Sequence, residues 1–366
     1  MDAVAIGVGF ALVIWMLLDS FETLLATSIR ANRFSFTSWY YRGVWAVTRR
    51  SCVKVRDERR RERWLSRFGP ASFLGLLATW TVIEIFGWGL VWWGLRDSFG
   101  APLSSLGDAW YYSGVVYFSI GFGDILPSTG VLRVLTVLEG FSGLGTLGLV
   151  IGFLPTLTGA YSARERQLLK LDDLTDARIT PISLVRSHVG PDGDLTALDA
   201  MFDEWADWCA EVYDSHTSLP VLLWFRSKHR GHSWITGLGV VTDAAIAFAS
   251  AVEGAERGSA LRLHRQAVRL VTGLAERVGI EAVPHLQGDL TSRGWSIGYS
   301  ALSMQDLPLR SFDESFARVV GMRAQFHPYM EAFIDELLAP RGFWGVTAAD
   351  HLAEVELGSL FDTDDD

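Results

Sequence analysis

Several groupings of residues in this sequence could carry chemistry, each of a different kind. Gly143-x-Gly145-x-x-Gly148 has the spacing of a dinucleotide-binding turn, whose glycines let backbone approach a pyrophosphate. It lies inside an apolar stretch with no strand before it and no acidic ribose partner, so that reading is set aside. Gly294-Trp-Ser296-Ile-Gly298 has the pattern of a hydrolase elbow. No strand precedes it, and no Asp and His stand in the order a triad needs. His229 and His232 are three apart but have no acidic ligand beside them, which favours surface chemistry over a metal site. Cys52 and Cys209 have no CxxC partner, which leaves no disulfide framework or zinc cluster to expect. No enzyme and no cofactor are indicated. Two acids, Glu84 and Glu139, each stand inside an apolar run, where a charge is costly and defaults to a functional candidate. The last grouping is Ser119-Ile120-Gly121-Phe122-Gly123-Asp124. Its two glycines, one residue apart, free the backbone for dihedrals that other residues avoid.

The elements that must position these residues follow from hydropathy and charge. Three apolar stretches are long enough for a bilayer core of about 30 Å, which takes roughly 20 helical residues. They run from about Ala3 to Thr27, from Pro70 to Leu95 and from Leu132 to Thr158. Residues 1–160 carry 14 Lys and Arg against 11 Asp and Glu; residues 161–366 carry 18 against 31. An acidic back half argues against nucleic acid as a partner. Residues 30–67 hold 12 basic against 3 acidic side chains, which places that loop in the cytoplasm by the positive-inside rule. The N-terminus is then outside, the 96–130 segment outside and the C-terminal half cytoplasmic, in a multi-pass protein of the cell membrane. Aromatic side chains gather where interfaces are expected: Trp39, Tyr40, Tyr41 and Trp45, then Trp88, Trp92 and Trp93. No regular spacing of arginines occurs within a span, so a voltage sensor is not expected. The run Trp234–Val252 is apolar enough for a fourth span, but Asp243 at its centre favours a buried helix of a soluble domain. The back half has helical stripes at 194–212, 259–278 and 312–338, the last interrupted by Pro328.

Asp108-Ala-Trp-Tyr-Tyr-Ser-Gly-Val-Val-Tyr-Phe-Ser-Ile-Gly-Phe-Gly-Asp-Ile-Leu-Pro127, between the second and third stretches, resembles the pore region of the potassium channel family. That family's filter reads Thr-Val-Gly-Tyr-Gly-Asp or a close variant. The resemblance implies a short re-entrant helix from about Asp108 to Phe118, capped by Asp108 or Ser105, with its negative dipole end toward an ion cavity. It implies that potassium ions bind at the backbone carbonyls of Ser119, Ile120, Gly121, Phe122 and Gly123, the oxygens replacing lost hydration as in that family at large. Ser119 adds a hydroxyl, Ile120 and Phe122 wedge the loop from behind, and Asp124 sits at the outer mouth. One such motif per chain implies a homotetramer. Departures are Phe118 where the family usually has Thr, Tyr111 and Tyr112 where it often has a Trp pair, and Ser and Phe in the filter itself. They bear on filter rigidity and inactivation.

Gly143 lies near the position where related channels place an inner-helix hinge, and Pro155 can bend the same helix. Phe153, Leu154 and Leu157 are candidates for a hydrophobic gate that closes by dewetting. Packing through small residues, including Gly148-x-x-x-Gly152, is the alternative for these glycines. Glu84 and Glu139 stand at similar depth, either neutral or hydrogen-bonded behind the filter or pairing helices structurally. Arg59-Arg60-Arg61 with Lys54, Arg56 and Arg63 can meet anionic membrane lipids or simply set topology. The expected fold is an all-α membrane protein with a channel-like pore of outer helix, pore helix, filter and inner helix. Its parts are an N-terminal transmembrane helix (1–30), a basic cytoplasmic linker (31–67), the pore domain (68–160), a helical cytoplasmic domain (161–358) and an acidic tail (359–366). The function expected is passive, potassium-selective conduction, gated by a signal acting on the cytoplasmic domain. A weakly selective cation channel and a membrane-anchored sensor with a non-conducting pore are the alternatives.

Overall fold

The computed structural model describes residues 2–24, 35–172, 180–227, 233–255, 258–283, 290–305 and 307–339. His229, His232 and the acidic tail lie outside them. The described residues are helical apart from turns and two isolated bridges, and they form two compact units, Met1–Gly159 and Ala160–Asp366.

The first unit holds α1 (Asp2–Leu24), α2 (Phe36–Val53), α3 (Glu58–Gly94), α4 (Leu106–Tyr117) and the first part of α5 (Gly130–Asp172). Helices α1, α3 and α5 are each long and apolar enough to cross a membrane. α1 lies along α3 where both present glycine: a Cβ on Gly9 would meet the Gly87 carbonyl, and one on Gly87 would meet that of Gly9. In lipid, where apolar burial gives no drive, such close backbone approach is what holds helices together.

Two features differ from the expectation for 31–67. That stretch contains a helix of its own, α2, with Tyr41, Trp45 and Cys52 on its buried side. And α3 begins at Glu58 and passes through Pro70 without breaking. Proline removes one backbone donor, but packing around the site supplies other contacts: Trp45 meets Phe68 at 5.0 Å and Tyr40 Oη donates to the Ser72 carbonyl at 2.9 Å. Asp19 ties the three helices. Its carboxylate accepts from Ser35 Oγ (2.9 Å), Thr37 N (3.1 Å) and Thr37 Oγ1 (2.6 Å) at the start of α2, and from Trp80 Nε1 of α3 (3.1 Å). A carboxylate at a helix start satisfies amides that have no intrahelical partner.

The second unit contains the end of α5, then α6 (Pro181–His188), α7 (Thr196–Ser218), α8 (Trp234–Ala251), α9 (Ser259–Val278), α10 (Ser292–Ser303) and α11 (Phe312–Leu337). Every residue of α8 is buried among its neighbours. The apolar run at 234–252 is therefore the core of this unit. Asp243 is satisfied there by α11: Arg323 Nη1 reaches Oδ2 at 2.6 Å and His327 Nε2 reaches Oδ1 at 2.8 Å. α11 continues through Pro328, contrary to the interruption expected there.

At the start of this unit Arg164 is almost wholly buried. It donates to Glu165 Oε1 (3.0 Å) and to the carbonyls of Leu222 (2.9 Å) and Phe225 (2.7 Å). Its Nη1 also lies 3.1 Å from His216 Nε2. A guanidinium can only donate, so that imidazole nitrogen accepts and His216 is neutral. Burial holds His216 well below the ordinary histidine range, and the neighbouring Arg164 charge adds to the effect.

Two stability predictions follow from these buried groups. Asp243→Ala strands Arg323 and His327 without their acceptor, a loss of about 3–5 kcal/mol. Exchange of the α8 amides with solvent should then speed up by roughly two to four orders of magnitude. The His216 effect has a definite sign. Unfolded histidine takes up a proton as pH falls through about 6.5, whereas the folded one does not, so stability is complete above that pH and declines below it. His264, lowered chiefly by burial, acts in the same direction. The decline should approach 1.4 kcal/mol per pH unit for each such group at most, and His216→Gln should flatten it when exchange is followed from about pH 7.5 to 5.5.

Candidate functional site

The site is built around α4. Its twelve residues span about 18 Å at 1.5 Å each, too short to cross a bilayer. A reciprocal cap starts the helix: Ser105 Oγ accepts from Asp108 N at 3.1 Å, and Asp108 Oδ2 accepts from Ser105 N at 2.9 Å. Both residues expected as alternative caps thus act together. Aromatic packing fixes the helix against α3. Trp110 lies 4.8 Å from Phe86 and fits over Gly89, while Tyr112 meets Trp92 at 5.3 Å and Phe99 at 5.1 Å.

After Tyr117 the chain leaves the helix in a turn closed by Ile120 N donating to the Val115 carbonyl at 2.9 Å. The backbone then alternates in hand. Ser119 (φ 54°), Gly121 (φ 65°) and Gly123 (φ 78°) lie in the left-handed region, and Ile120 and Phe122 between them do not. In an ordinary strand successive carbonyls point to opposite sides; alternating hand turns them to the same side. Glycine takes the left-handed region without steric cost, whereas Ser119 takes it under strain of the kind that clusters at functional sites. Past the loop, Tyr111 Oη donates to Asp124 Oδ2 at 2.8 Å. The return to α5 is fastened to the end of α3 by a bridge between Phe99 and Pro127 and by Ser128 Oγ donating to the Ser98 carbonyl.

All the residues expected to form the filter are exposed in the single chain. Ile120 is 51% and Phe122 67% exposed, so none of the described residues covers the side chains expected to wedge the loop. The same holds for one face of α5, where Val134, Val137, Phe141, Leu144, Leu147, Ile151 and Leu154 are bare.

Behind the loop lies a set of polar contacts between helices. Glu139 of α5 bonds to Ser113 Oγ of α4 (2.5 Å) and Trp92 Nε1 of α3 (2.7 Å). Tyr112 and Thr136 share a hydroxyl contact at 2.8 Å. Glu84, also buried, has Thr146 Oγ1 at 3.4 Å, with Tyr117 beside it. Glu139 of α5 thus reaches both α3 and α4, while Glu84 of α3 reaches α5 through Thr146. Gly143 packs directly beneath the end of α4, where any Cβ would collide with the Tyr117 carbonyl. Of the gate candidates, Phe153 stacks on Phe73 at 5.8 Å and Leu157 is buried, while Leu154 and Pro155 are exposed.

Other groupings fall elsewhere. Gly143, Gly145 and Gly148 are inside α5. Gly294 to Gly298 is inside α10, where Ser296 Oγ donates back to the Arg293 carbonyl at 2.7 Å, as an ordinary helical serine does. Cys52 and Cys209 are buried free thiols. Sequence reading missed Tyr111, Ser113, Trp92 and Thr136 as participants. Their partners stand 13 to 47 residues away, and only the aromatic clustering around Trp92 hinted at any of them.

Residues 78–158 match the family described as "Ion channel". The chain is 22% identical over 240 residues to the uncharacterized membrane protein YdjJ of Bacillus subtilis (strain 168), covering 62% of this chain and 67% of that protein. It is 29% identical over 101 residues to two-pore potassium channel 4 of Arabidopsis thaliana, covering 27% of this chain and 33% of that one. No solved structure matches. This is an all-α, multi-pass membrane protein whose residues 78–158 match an ion channel domain.

Proposed function

We propose that the chain is one subunit of a homotetrameric, potassium-selective channel that conducts passively. The observation that carries the proposal is the alternating backbone hand at Ser119, Gly121 and Gly123, joined to the uncovered Ile120, Phe122 and α5 face. Four copies around an axis would cover those side chains and aim the carbonyls of Ser119 through Gly123 inward, where they replace water around a potassium ion. The negative end of α4 would face the cavity and favour a cation there. Asp124, held by Tyr111, would lie at the outer mouth. The N-terminus is outside and the second unit cytoplasmic, from the basic excess at residues 30–67. The membrane lipids are partners of that basic stretch. Gating acts on α5 through the second unit, because the helix that lines the pore continues into it as far as Asp172.

The bare face of α5 refines the gate. Ile151 and Leu154 project with the exposed stripe, whereas Phe153 and Leu157 pack inward. Ile151 and Leu154, at helical spacing on one face, form the hydrophobic constriction, with Gly143 placed for close packing under α4.

Reconstituted in liposomes, the full chain should pass potassium, be blocked by barium, and show a reversal potential near the potassium value in mixed potassium and sodium. A reversal near zero would mark a weakly selective cation channel, and no flux at all a non-conducting sensor. Gly121→Ala forces a side chain into the left-handed region at about 1–2 kcal/mol per copy and should cut the flux at least about tenfold. For the gate, Leu154→Cys should react with a water-soluble thiol reagent applied from the second unit's side while Leu157→Cys stays protected. Equal labelling of the two would remove the assignment. Native Cys52 and Cys209 are buried and give low background.

A further inference from the structure

Glu139 presents a problem of hydrogen counting. Ser113 Oγ lies 2.5 Å from Glu139 Oε1 and 3.0 Å from the Ile85 carbonyl of α3. Both are acceptors when the carboxyl is ionised, and a serine hydroxyl has one hydrogen. With an ionised Glu139, one of the two buried contacts would set lone pairs against lone pairs. The other carboxyl oxygen, Oε2, accepts from Trp92 Nε1 at 2.7 Å, so no spare donor comes from that side. Nor does the surrounding chain offer a cation. Between Arg67 and Arg164 the only basic residues are Arg96 and Arg133. Arg96 is paired with Asp2 at 2.6 Å, and Arg133 reaches the Pro127 carbonyl at 3.4 Å. Glu139 is fully buried, and a buried charge without a partner is strongly disfavoured.

One arrangement satisfies every atom. Glu139 carries a proton on Oε1 and donates it to Ser113 Oγ; Ser113 passes its own hydrogen to the Ile85 carbonyl; Trp92 donates to Oε2. The three helices α3, α4 and α5 are then joined by three hydrogen bonds, each with one donor and one acceptor. Ser113 sits in the last turns of α4, two residues before Val115, whose carbonyl holds Ile120 of the filter turn.

We propose that Glu139 is a positioning residue that fixes the depth of α4, and hence the filter, as a neutral carboxylic acid. The inference rests on the channel reading above for its link to selectivity. It places no fixed negative ring behind the filter, leaving cation binding to the carbonyls. It also separates Glu139 from Glu84, whose contacts do not reach Ser113.

The test uses the full chain in liposomes as wild type, Glu139→Gln, Glu139→Leu and Ser113→Ala. A glutamine keeps the neutral donor and acceptor of the protonated acid, so Glu139→Gln should hold the potassium-to-sodium permeability ratio within about twofold of wild type. Glu139→Leu and Ser113→Ala should each lower it by roughly two- to tenfold, the range one hydrogen bond is worth. Should the leucine variant fail to assemble, Ser113→Ala carries the comparison. Infrared spectra at neutral pH should show the carbonyl stretch of a protonated carboxyl in wild type that is missing in Glu139→Gln. A fall in the ratio for Glu139→Gln, an unchanged ratio for Ser113→Ala, or no protonated-carboxyl band lost in Glu139→Gln would overturn the inference. A wild type that passes no ion defeats the channel reading instead, and the infrared band still decides the protonation of Glu139.

Discussion

A loop whose carbonyls all face one side cannot also pair them with its own amides. That constraint governs the first unit. Helices and sheets satisfy backbone groups internally, which is why they are the forms that cross lipid. In the proposed channel the stretch from Ser119 to Gly123, with its alternating backbone hand, gives up that security to offer its oxygens to an ion. Something outside the loop must therefore hold it in shape. On the near side the hold is the α4 turn, where Ile120 N meets the Val115 carbonyl. On the far side it is Asp124 bonded to Tyr111. Both holds belong to α4, so the loop is as well placed as that helix and no better. The polar contacts of Ser113 and Tyr112 with α5 and α3 make sense on those terms. They are costly in lipid and tolerable only because each is paired, and they restrain the one element from which the 119–123 loop hangs.

This also accounts for one of the departures from the family's usual pore helix. A tyrosine at 111 brings a phenolic hydroxyl that can donate to the carboxylate of Asp124. Tyr112 turns the other way and bonds to Thr136. Neighbouring tyrosines on a helix point about 100° apart, so one holds Asp124 and the other α5. Phe118 and Phe122 of the loop are exposed in the single chain, and large bare aromatics next to a strained loop form the kind of apolar patch that marks an interaction surface.

How much of this was legible in the sequence depended on the range of the interaction. The Gly121-x-Gly123 pair announces its backbone locally, because only glycine accepts those dihedrals freely. The Ser105 and Asp108 cap lies within four residues, and each of the two stood out as an alternative cap, though not their reciprocal pairing. The spans showed in hydropathy, though their ends did not: α3 extends back to Glu58 because charged residues can form helix beyond the lipid as readily as apolar ones form it within. α2 was hidden by its arginines, which lower hydropathy while Tyr41, Trp45 and Cys52 keep a helical stripe. The orientation of Phe153 and Leu157 could not be read at all. Almost every residue of that stretch is apolar, and with no polar face there is no periodicity to say which side meets Phe73. Glu139 stood out by type, but its partners lie 26 and 47 residues away in sequence.

The fate of α8 shows why hydropathy alone misjudges such chains. Its eighteen residues are apolar enough to cross a membrane, yet all are buried among the helices of the second unit. A lipid-facing helix needs apolar residues all round because lipid surrounds it; a central helix needs them because protein does. What separates the two is a polar residue with a partner. Asp243 has two on α11, Arg323 and His327, and a carboxylate so held binds its helix to one neighbour in one register. Glu139 does the same work in the first unit with a serine and an indole in place of cations. The difference between them follows from the surroundings. In the second unit a guanidinium is within reach and the acid can be met by charge; in the first, no cation is to hand and the hydrogen count closes only if the acid keeps its proton.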